Sequence, residues 1–415
     1  MSNKTEAMTT ETTLADEQQS SQAANRGYGA QVLREAFTQW GARLGLFWIA
    51  LLAAVAVFAP MLANSHPLLV SEGSIISSPM FRYMTIGDFT LLAIFFTVVI
   101  LLFVRIRFYK KVIALFATGL IATIIAFMLV SPPQLTVYDQ YRAKQAAGDY
   151  DWVIHAPIPY SPKDYIRDSG DTGLEAPLKA VTPAGDASLR THWFGTEENG
   201  SDVLSRMIHA SRIALGIGFV ATGIAMLIGI IIGGLMGFYS GIVDMIGMRL
   251  VEIFEAVPTL FLLLTFVAFF ERSLYVMMVI IGITSWPGYA RFVRAEFLRL
   301  RQQEFVQAAT ACGLPLRSIL FRHMLPNGIA PILVAASFGV ASAILAEATL
   351  SFLGLGLVDD PSWGQMLNQA VQSSTFNWWM ALFPGGAIFL TVFAYNLMGE
   401  ALRDAIDPNL KKSAG

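Results

Sequence analysis

The sequence predicts an all-α polytopic membrane protein with about eight transmembrane helices. Of its 415 residues, 55% are hydrophobic and only 14% are charged, whereas soluble domains have about 25% charged residues. The mean hydropathy is +0.56. Apolar segments recur along the chain at close to the length of about 20 residues that a helix needs to cross a bilayer. Soluble structure is therefore expected to be minor.

The chain begins with a polar segment, residues 1–31, that is rich in Thr, Gln, Ser and Ala. Such a segment cannot bury enough surface to offset the entropy lost on ordering, so we expect a disordered cytoplasmic tail. The first apolar segment, Leu44–Ala63, is too long and too far from the start for a typical cleaved signal peptide. It is predicted to remain as the first transmembrane helix, 44–63.

Seven further apolar segments follow. They are Phe89–Val104, Val112–Val130, Ile213–Phe238, Val257–Phe270, Leu274–Tyr289, Ile332–Leu357 and Met380–Met398. The first two form a transmembrane hairpin at 89–130, and residues 213–400 form the main core. Val257–Phe270 is short, and we expect an amphipathic turn with Arg249, Glu252 and Glu255 to extend it. Pro258 is expected to bend it.

Lys and Arg residues cluster at four places. The clusters are Arg34 and Arg43; Arg105, Arg107, Lys110 and Lys111; Arg291, Arg294, Arg299, Arg301, Arg317 and Arg322; and Arg403, Lys411 and Lys412. Eight spans that start inside place all four clusters in the cytoplasm, as the positive-inside rule requires. Both termini, including the tail 401–415, are then cytoplasmic. The polar segment 131–212 becomes an extracytoplasmic loop or small cap.

A polar, basic island, Glu304–Asn327, lies between two apolar regions. Its first part has helix-forming composition and ends at Gly313, the residue type that most readily adopts the left-handed conformation after a helix. Pro315 can begin a second short helix, which we expect to stop before Pro326. The island is thus predicted to form two short helices joined by a sharp bend, a shape suited to docking into a groove on a soluble partner.

This island resembles the cytoplasmic signature of binding-protein-dependent ABC importer permeases, which usually reads Glu-Ala-Ala, three residues, Gly, nine residues, Ile-x-Leu-Pro. The matching residues, at the same spacing, are Gln307, Ala308, Ala309, Gly313, Leu325 and Pro326. Gln307 replaces the usual Glu, and His323 stands where Ile is common. The ending from His323 through Asn327 is similar to the oligopeptide and dipeptide branch of the family.

Two other stretches are similar to the same branch. His192–Arg206 resembles the stretch that precedes the core spans, with departures at Glu197 and Ser201, and by composition it is a turn leading into an interfacial helix, with direct substrate contact as the functional alternative. Glu347–Gly356, followed by Pro361–Gly364, resembles a second family pattern. The resemblance covers residues 192–408. It leaves out the N-terminal tail and the hairpin at 89–130, which is additional to the usual six-span plan.

The resemblance implies a type I ABC importer fold and a set of partners. Two permease subunits form the pathway, two ATPase subunits bind the cytoplasmic loops, and an external substrate-binding protein delivers the solute. The implied ATPase-coupling residues, within a loop at 291–327, are Glu304, Gln307, Ala308, Ala309, Gly313, His323, Leu325, Pro326 and Asn327. Ala309 is expected on a face of small residues that meets the ATPase. ATP and Mg²⁺ then belong to the ATPase subunits, and no cofactor is expected on this chain, which has no Gly-Lys dipeptide.

Two features of the predicted spans allow a structural and a functional interpretation. Gly229, Gly233 and Gly237 lie four residues apart on one helical face, where they permit close helix packing or, alternatively, give a flexible gating helix. Glu347 interrupts an apolar run. A carboxylate in a span is costly unless it faces protein or water, so Glu347 either lines the pathway or serves in structural pairing or helix capping.

Other classes of protein are less well supported. A single cysteine, Cys312, excludes internal disulfides and all-cysteine metal sites, and the five histidines lack metal-ligand spacing. A secondary transporter or channel should show ionisable residues in several spans, and an intramembrane enzyme needs a catalytic constellation. The bilayer is an expected partner, and nucleic acid is not. Peptides are the implied substrates, with nickel or peptide antibiotics as alternatives on the same scaffold.

The charge clusters generate a test of topology. A reporter fused after Lys111 should read cytoplasmic, and one inserted near Asp171 should read external, as measured by paired phosphatase and fluorescent-protein fusions. The opposite result at either site would overturn the eight-span arrangement.

Overall fold

A computed structural model of the chain describes residues 36–406, apart from positions 74, 105, 107, 131, 132, 134, 135, 166–172, 179, 182–189, 271, 358 and 359. The predicted tail at 1–31 and the tail beyond residue 406 lie outside the described residues. So do Arg34, Arg105, Arg107, Asp171, Lys411 and Lys412. Residues 401–406 were predicted to belong to the C-terminal tail, but they continue the last helix.

Helices make up most of the described chain. They are α1 (Trp40–Val57), α2 (Ala59–Leu62), α3 (Pro79–Tyr83), α4 (Ile86–Phe103), α5 (Phe108–Leu129), α6 (Gln140–Ala147), α7 (Val203–Tyr239), α8 (Gly241–Ala256), α9 (Thr259–Phe269), α10 (Leu274–Arg301), α11 (Glu304–Ala311), α12 (Leu316–Ser318), α13 (Leu325–Phe352), α14 (Trp363–Gln372) and α15 (Trp378–Ile406). A π-helical turn, Ile319–Met324, joins α12 to α13. The strands are β1 (Leu69–Glu72), β2 (Ile75–Ser77), β3 (Trp152–Ile154), β4 (Ala180–Val181) and β5 (Arg190–Thr191).

The number of spans agrees with the prediction. Among the described residues, seven helices are long and apolar enough to cross a membrane: α1, α4, α5, α7, α10, the continuous helix Leu316–Phe352 and α15. An eighth span results if α8 and α9 count as one, since they are bent by 80° at a short break. The break falls at Pro258, as the sequence predicted, because proline has no backbone N–H with which to continue α8. The prediction of an all-α protein with about eight spans is confirmed.

The glycines of α7 bring this helix against α10 at backbone distance. A Cβ atom placed on Gly229 would lie 2.4 Å from the Cβ atom of Tyr289, and one placed on Gly233 would lie 2.3 Å from the carbonyl oxygen of Ala290. One on Gly237 would lie 2.7 Å from the carbonyl oxygen of Arg294. Only glycine fits at such contacts. The pair α7 and α10 therefore forms the tightest seam of the core, and α13 and α15 pack around it.

Several helices run further than the apolar segments that predicted them. α7 begins at Val203 rather than near 213, because Asp202 accepts a hydrogen bond from the Ser205 N–H at 2.7 Å and caps the helix. α10 continues through Pro287 to Arg301, so the loop that was predicted to begin at 291 begins after residue 301. At 1.5 Å per residue these helices exceed a bilayer of about 30 Å. Hydropathy marks where a helix leaves the membrane, not where it ends.

The second short helix of the polar island does not stop before Pro326 as predicted. The chain stays helical from Leu316 to Phe352, with Pro326 in the first turn of α13. The preceding π-helical turn widens the helix, and the Leu325 N–H donates to the carbonyl of Leu320, five residues back. The changed register accommodates a residue that lacks an N–H, as π-bulges do at helix irregularities.

The cap is larger than the segment 131–212 from which it was predicted. Strands β1 and β2, which lie between α2 and α3, form an antiparallel sheet with β3 in the order β2-β1-β3. A second small sheet pairs β4 with β5. Strands of three or four residues give too little alternation to be recognised in a sequence.

The hairpin α4–α5 lies at the side of the core and leaves much of its apolar surface exposed. Phe103, Phe116 and Phe127 are among its exposed side chains. The hairpin meets the rest of the molecule where Phe58 contacts Phe95, with ring centroids 5.2 Å apart, and where Asp88 forms an ion pair with Arg212. Its position agrees with an element added to the side of a separate core.

The glycine seam generates a stability prediction. Gly233→Leu should lower the stability of the purified protein by about 1–3 kcal/mol, since the side chain would enter the backbone of α10. Gly223→Leu on the same helix is the matched control, because no atom of the described residues outside the adjoining turns of α7 lies within 4 Å of a Cβ atom placed there. Thermal unfolding in detergent measures both. Equal midpoints for the two variants would contradict close packing at Gly233.

Candidate coupling loop and membrane pathway

The bend predicted at Gly313 is present, and its hydrogen bonds define its shape. Gly313 has φ of +70° and follows Cys312, the C-cap residue of α11. Its N–H donates to the Thr310 carbonyl at 3.0 Å, and the Leu314 N–H donates to the Ala309 carbonyl at 3.2 Å. This pair of bonds is a Schellman motif, which reverses the chain at the end of a helix and requires the left-handed conformation. The loop is a folded turn with fixed geometry.

One side of α11 packs into the protein and the other side is exposed. Val306 and Ala309 are buried in a cluster with Leu320, Met324 and Phe297. Glu304, Gln307, Ala308 and Gly313 are exposed. The predicted place of Ala309 on the partner-facing side is wrong. Ala309 lies three residues after Val306 and therefore shares the inward face of the helix, which leaves Ala308 as the small residue on the outer face.

The residues that depart from the family signature make contacts within the loop. The Gln307 side chain donates through Nε2 to the carbonyl of Gln302 at 3.2 Å, which a glutamate could not do. His323 is half-buried, and its carbonyl accepts from the Asn327 side chain at 2.7 Å. Leu325 is partly buried against the same cluster as Ala309, and Pro326 is exposed. The loop is thus braced on both sides of the bend by amide side chains.

An open groove lies beside α11, at the end of α7. It has a volume of about 840 Å³ and is lined by residues that include Tyr239, Ser240, Arg301, Gln307 and Thr310. Ser240 has φ of +53°, and its hydroxyl accepts from Arg301 at 2.6 Å. Sequence analysis did not select Ser240 or Arg301 as a pair, although the Ser-Gly step after the glycine-rich helix is a recognisable turn signal.

Ion pairs fasten the bent element α8 to α10 near the same end. The Arg294 guanidinium is bidentate on the carboxylate of Asp244, with Nη2 and Oδ2 2.5 Å apart. Arg291, one turn before Arg294 on α10, pairs with Glu255. Bidentate pairs fix orientation as well as distance. Movement of α10 is therefore transmitted to α8.

A cavity of about 300 Å³ lies between the middles of α7, α10 and α13. Its polar lining includes Thr222, Ser285, Tyr289 and Ser342, and the remaining lining is mainly small or aromatic. The Tyr289 hydroxyl lies 3.5 Å from the carbonyl of Ala335. Sequence analysis missed this group, because isolated hydroxyl residues in apolar runs give no signal until the helices are assembled. The cavity provides hydrogen-bonding groups without fixed charge at the middle of three spans.

Glu347 is enclosed by protein near the cap end of α13. Its side chain accepts a hydrogen bond from the Ser351 hydroxyl at 2.6 Å, and Ser362 is a second hydrogen-bonding partner. The residue is 2% exposed and does not line the 300 Å³ cavity. These contacts agree with the structural alternative of pairing and capping. The pathway role of Glu347 stays a prediction.

A buried polar network joins the cap to the start of α7 and explains the stretch His192–Arg206. His192 Nδ1 lies 2.9 Å from Asp202, and Arg206 Nε lies 3.0 Å from Glu197. The Trp379 indole of α15 donates to the Thr196 carbonyl at 3.2 Å. Burial raises the pKa of Glu197, while Arg206 acts in the opposite direction and Asp202 raises it further. The stretch serves here to anchor the cap on the core.

Comparison with known proteins agrees with this architecture. Residues 229–412 match the family described as binding-protein-dependent transport system inner membrane component. The chain is 40% identical over 221 residues to the dipeptide transport system permease protein DppC of Alkalihalophilus pseudofirmus, covering 53% of this chain and 73% of the relative. It is 39% identical over 225 residues to the oligopeptide permease OppC of Bacillus subtilis, covering 54% of this chain and 73% of the relative.

Two further matches extend the comparison. The glutathione transport system permease protein GsiD of Pectobacterium atrosepticum is 40% identical over 221 residues, covering 53% of this chain and 73% of the relative. Among solved structures, an inward-facing MetNI methionine ABC transporter chain has a TM-score of 0.40 and 18% identity, covering 48% of this chain and 96% of that chain.

The fold defines a multi-pass membrane protein of the permease class. The chain belongs to the family of binding-protein-dependent transport system inner membrane components and is a permease subunit of an ABC importer. The resemblance to the oligopeptide and dipeptide branch is confirmed by these relatives. Such a permease acts together with ATPase subunits and a substrate-binding protein.

The surroundings of Glu347 generate a third prediction. Glu347→Gln keeps an acceptor for Ser351 and Ser362, so we expect normal assembly and transport near that of the unmodified protein. Glu347→Leu leaves both hydroxyls without this acceptor and should lower stability by about 1–3 kcal/mol. Uptake assays in proteoliposomes and thermal unfolding measure the two effects. Loss of transport in Glu347→Gln with intact assembly would place the carboxylate in the pathway.

Proposed function

We propose that this chain forms half of the translocation pathway of a peptide importer, paired with a second permease subunit. Two ATPase subunits dock on the coupling loops, and a substrate-binding protein delivers the solute on the cap side. The observation that carries this proposal is the continuous packing between the coupling loop and the helices that line the 300 Å³ cavity. A displacement of the loop therefore reaches the cavity without passing through a flexible joint.

Buried side chains connect the coupling loop to the helices that line the cavity. Ala309 on α11 shares one buried cluster with Phe297 of α10, Ile230 of α7 and Ile332 of α13. The same three helices line the cavity further along their length. Close-packed interiors shift between discrete arrangements rather than deform smoothly. Closure of the ATPase subunits would move α11 together with these helices and change access to the cavity.

The lining of the cavity suits a peptide substrate. Hydroxyls of Thr222, Ser342 and Tyr289 can bond to backbone amides, which all peptides share, while the absence of charged groups from the lining avoids selection for side-chain charge. The relatives named for dipeptide, oligopeptide and glutathione transport support this substrate class. Nickel or a peptide antibiotic is the alternative substrate, because the substrate-binding protein selects the solute in this family.

The orientation of the chain in the membrane and the separate role of the ATPase subunits are part of the same proposal. Arg43, Lys110, Arg322 and Arg403 lie at the end of the molecule that we assign to the cytoplasm, and the cap lies outside. Both termini are then cytoplasmic. The chain acts as a permease without catalysis of its own and binds no cofactor, while the ATPase subunits bind ATP and Mg²⁺.

Reconstitution tests the proposed function directly. The chain, a second permease subunit, both ATPase subunits and the substrate-binding protein are placed in proteoliposomes, and uptake of labelled di- and oligopeptides is measured with and without ATP. We expect peptide uptake that requires ATP and the binding protein. Uptake of nickel without uptake of peptide would overturn the assigned substrate.

The bend at Gly313 generates a fourth prediction. Gly313→Val should weaken ATPase association about five- to 150-fold, because a β-branched residue at φ of +70° costs about 1–3 kcal/mol. Apart from its two chain neighbours, no atom of the described residues lies within 4 Å of a Cβ atom placed there, so an internal clash does not explain a loss. Copurification and ATP hydrolysis stimulated by the binding protein are the measurements.

Three further variants sharpen this test. Gly313→Asn tolerates the left-handed conformation and should retain more association than Gly313→Val. Ala308→Asp adds a charge to the exposed face and should reduce association while the loop stays folded, whereas Ala309→Asp buries a charge and should unfold the loop. Normal coupling in both Gly313→Val and Ala308→Asp would show that this loop is not where the ATPase acts.

A further inference from the structure

A second cavity, of about 630 Å³, lies where the added hairpin meets the core below the cap. Its lining comes from seven parts of the chain: the region from α2 to His66, the turn from α3 into α4, the segment with Thr136 and Tyr138, the cap segment around Ser161, α7, the start of α10, and Asp360 with Pro361. The family motifs contribute one residue, Pro361, to this lining and do not account for the cavity. It exists because the hairpin touches the core near α1 and Arg212 but stands away from α10.

The cavity lies at the level of the membrane boundary. Leu274 and Tyr275 in its lining are the first two residues of α10, and Asp88 is in the first turn of α4. Pro60 lies in α2, immediately beyond the end of α1. Three spans therefore end around it on the same side. This is the depth at which lipid headgroups lie.

Polarity falls with depth along the lining. Asp88 and Arg212 are at the outer level, while Leu91 and Gly216 lie about one helical turn deeper on the same two helices. Met278 occupies the corresponding deeper level on α10. The cavity is thus polar at its outer end and apolar at its inner end. An amphiphile matches this gradient, whereas a free ion or a soluble metabolite would use only the outer end.

The outer end holds a cationic donor that is only partly used. Arg212 donates through Nε to the Ala56 carbonyl at 2.6 Å, and its Nη1 pairs with Asp88. Its Nη2 is buried and has no hydrogen-bonding partner among the described residues. Buried donors of charged groups are normally paired, because an unmade bond costs free energy. The Nη2 group of Arg212 can therefore donate a hydrogen bond to an anionic group such as a phosphate.

The outer end also holds an unused acceptor, on His66. The ring stacks on Tyr83 with centroids 3.7 Å apart, and Tyr138 lies 5.8 Å away. Its Nδ1 lies 3.0 Å from the Asn64 Oδ1 atom, so Nδ1 carries the hydrogen. Burial lowers the pKa of His66 to about 4, while Asp164 raises it and Arg142 lowers it, so the ring is neutral at physiological pH. The buried Nε2 is then an acceptor without a partner among the described residues.

We propose that this cavity binds a phospholipid with a phosphate and a primary ammonium in its headgroup. The phosphate accepts from Arg212 Nη2, the ammonium donates to His66 Nε2 beside the face of Tyr83, and the acyl chains pass Leu91 and Met278. A headgroup of this kind supplies both the acceptor that Arg212 lacks and the donor that His66 lacks.

The charge of the lining favours a zwitterion over an acidic lipid. The charges of Asp88 and Asp360 balance those of Arg212 and Lys163, which lies 2.9 Å from Asp360. A net acidic ligand would leave a surplus negative charge in a partly buried site. A choline headgroup carries no N–H and cannot donate to His66. This inference goes beyond the proposed function and does not depend on which solute is transported.

Lipid retention by the complete importer tests the proposal. The complex is purified in mild detergent, exchanged into delipidated detergent, and its bound phospholipid is extracted and quantified by mass spectrometry. We expect the unmodified complex to retain phosphatidylethanolamine. Gly216→Phe, which fills the apolar end and meets only the flexible end of Met278 at 3.0 Å, should lower retention at least about tenfold. Gly223→Phe on the same helix is the matched control, because a Cβ atom placed there has no described atom within 4 Å outside the adjoining turns of α7.

Headgroup selectivity provides the second arm. In nanodiscs with equal amounts of phosphatidylethanolamine, phosphatidylcholine and phosphatidylglycerol, the unmodified complex should retain the ethanolamine lipid preferentially. His66→Phe keeps the aromatic stack but removes Nε2, so it should abolish the preference over the choline lipid while lipid is still bound. Equal retention in unmodified and Gly216→Phe complexes would overturn the site. Preference for phosphatidylglycerol, or no effect of His66→Phe on selectivity, would overturn the assigned headgroup.

Discussion

The close approach of α7 and α10 is the constraint on which the rest of this permease depends. Because Gly229, Gly233 and Gly237 have no side chains, the backbone of α7 lies directly against α10. In a bilayer, where no hydrophobic force drives helices together, such contact supplies much of the packing energy. The consequence is a stiff pair of helices that reaches from the cap to the coupling loop. The cavity around Tyr289 and the cluster around Phe297 are both built on this pair.

The additions to the core are held differently, by buried polar and ionic contacts. The cap is fastened by the pairs Arg206–Glu197 and His192–Asp202, and the hairpin by Arg212–Asp88. Breaking a buried ion pair is costly because the remaining charge loses its partner, so these contacts fix position more than they add stability. A lipid between the hairpin and α10 would complete this second mode of attachment.

The sequence predicted most features that depend on local chemistry. The spans follow from hydropathy, the bend from Gly313 and the break in the short span from Pro258. The sequence could not predict that Pro326 lies within a continuous helix. The π-helical turn that accommodates Pro326 depends on a changed register of the backbone hydrogen bonds, which composition does not indicate. Sequence analysis also misplaced Ala309, since both faces of α11 carry small residues and only the assembled core shows which face is buried. The hydroxyl-lined cavity required three helices to be brought together.

The central claim is that the coupling loop and the cavity-lining helices move as one rigid unit. The single cysteine, Cys312, is exposed in the loop and takes a spin label directly, and Val279→Cys provides a second exposed position on α10. Pulsed electron spin resonance on the complete importer, with cysteine-free partner subunits, measures the distance between the two labels. A rigid unit has the same narrow distance distribution in the nucleotide-free and ATP-bound complexes. A distance that changes on ATP binding while transport is intact would contradict a rigid unit.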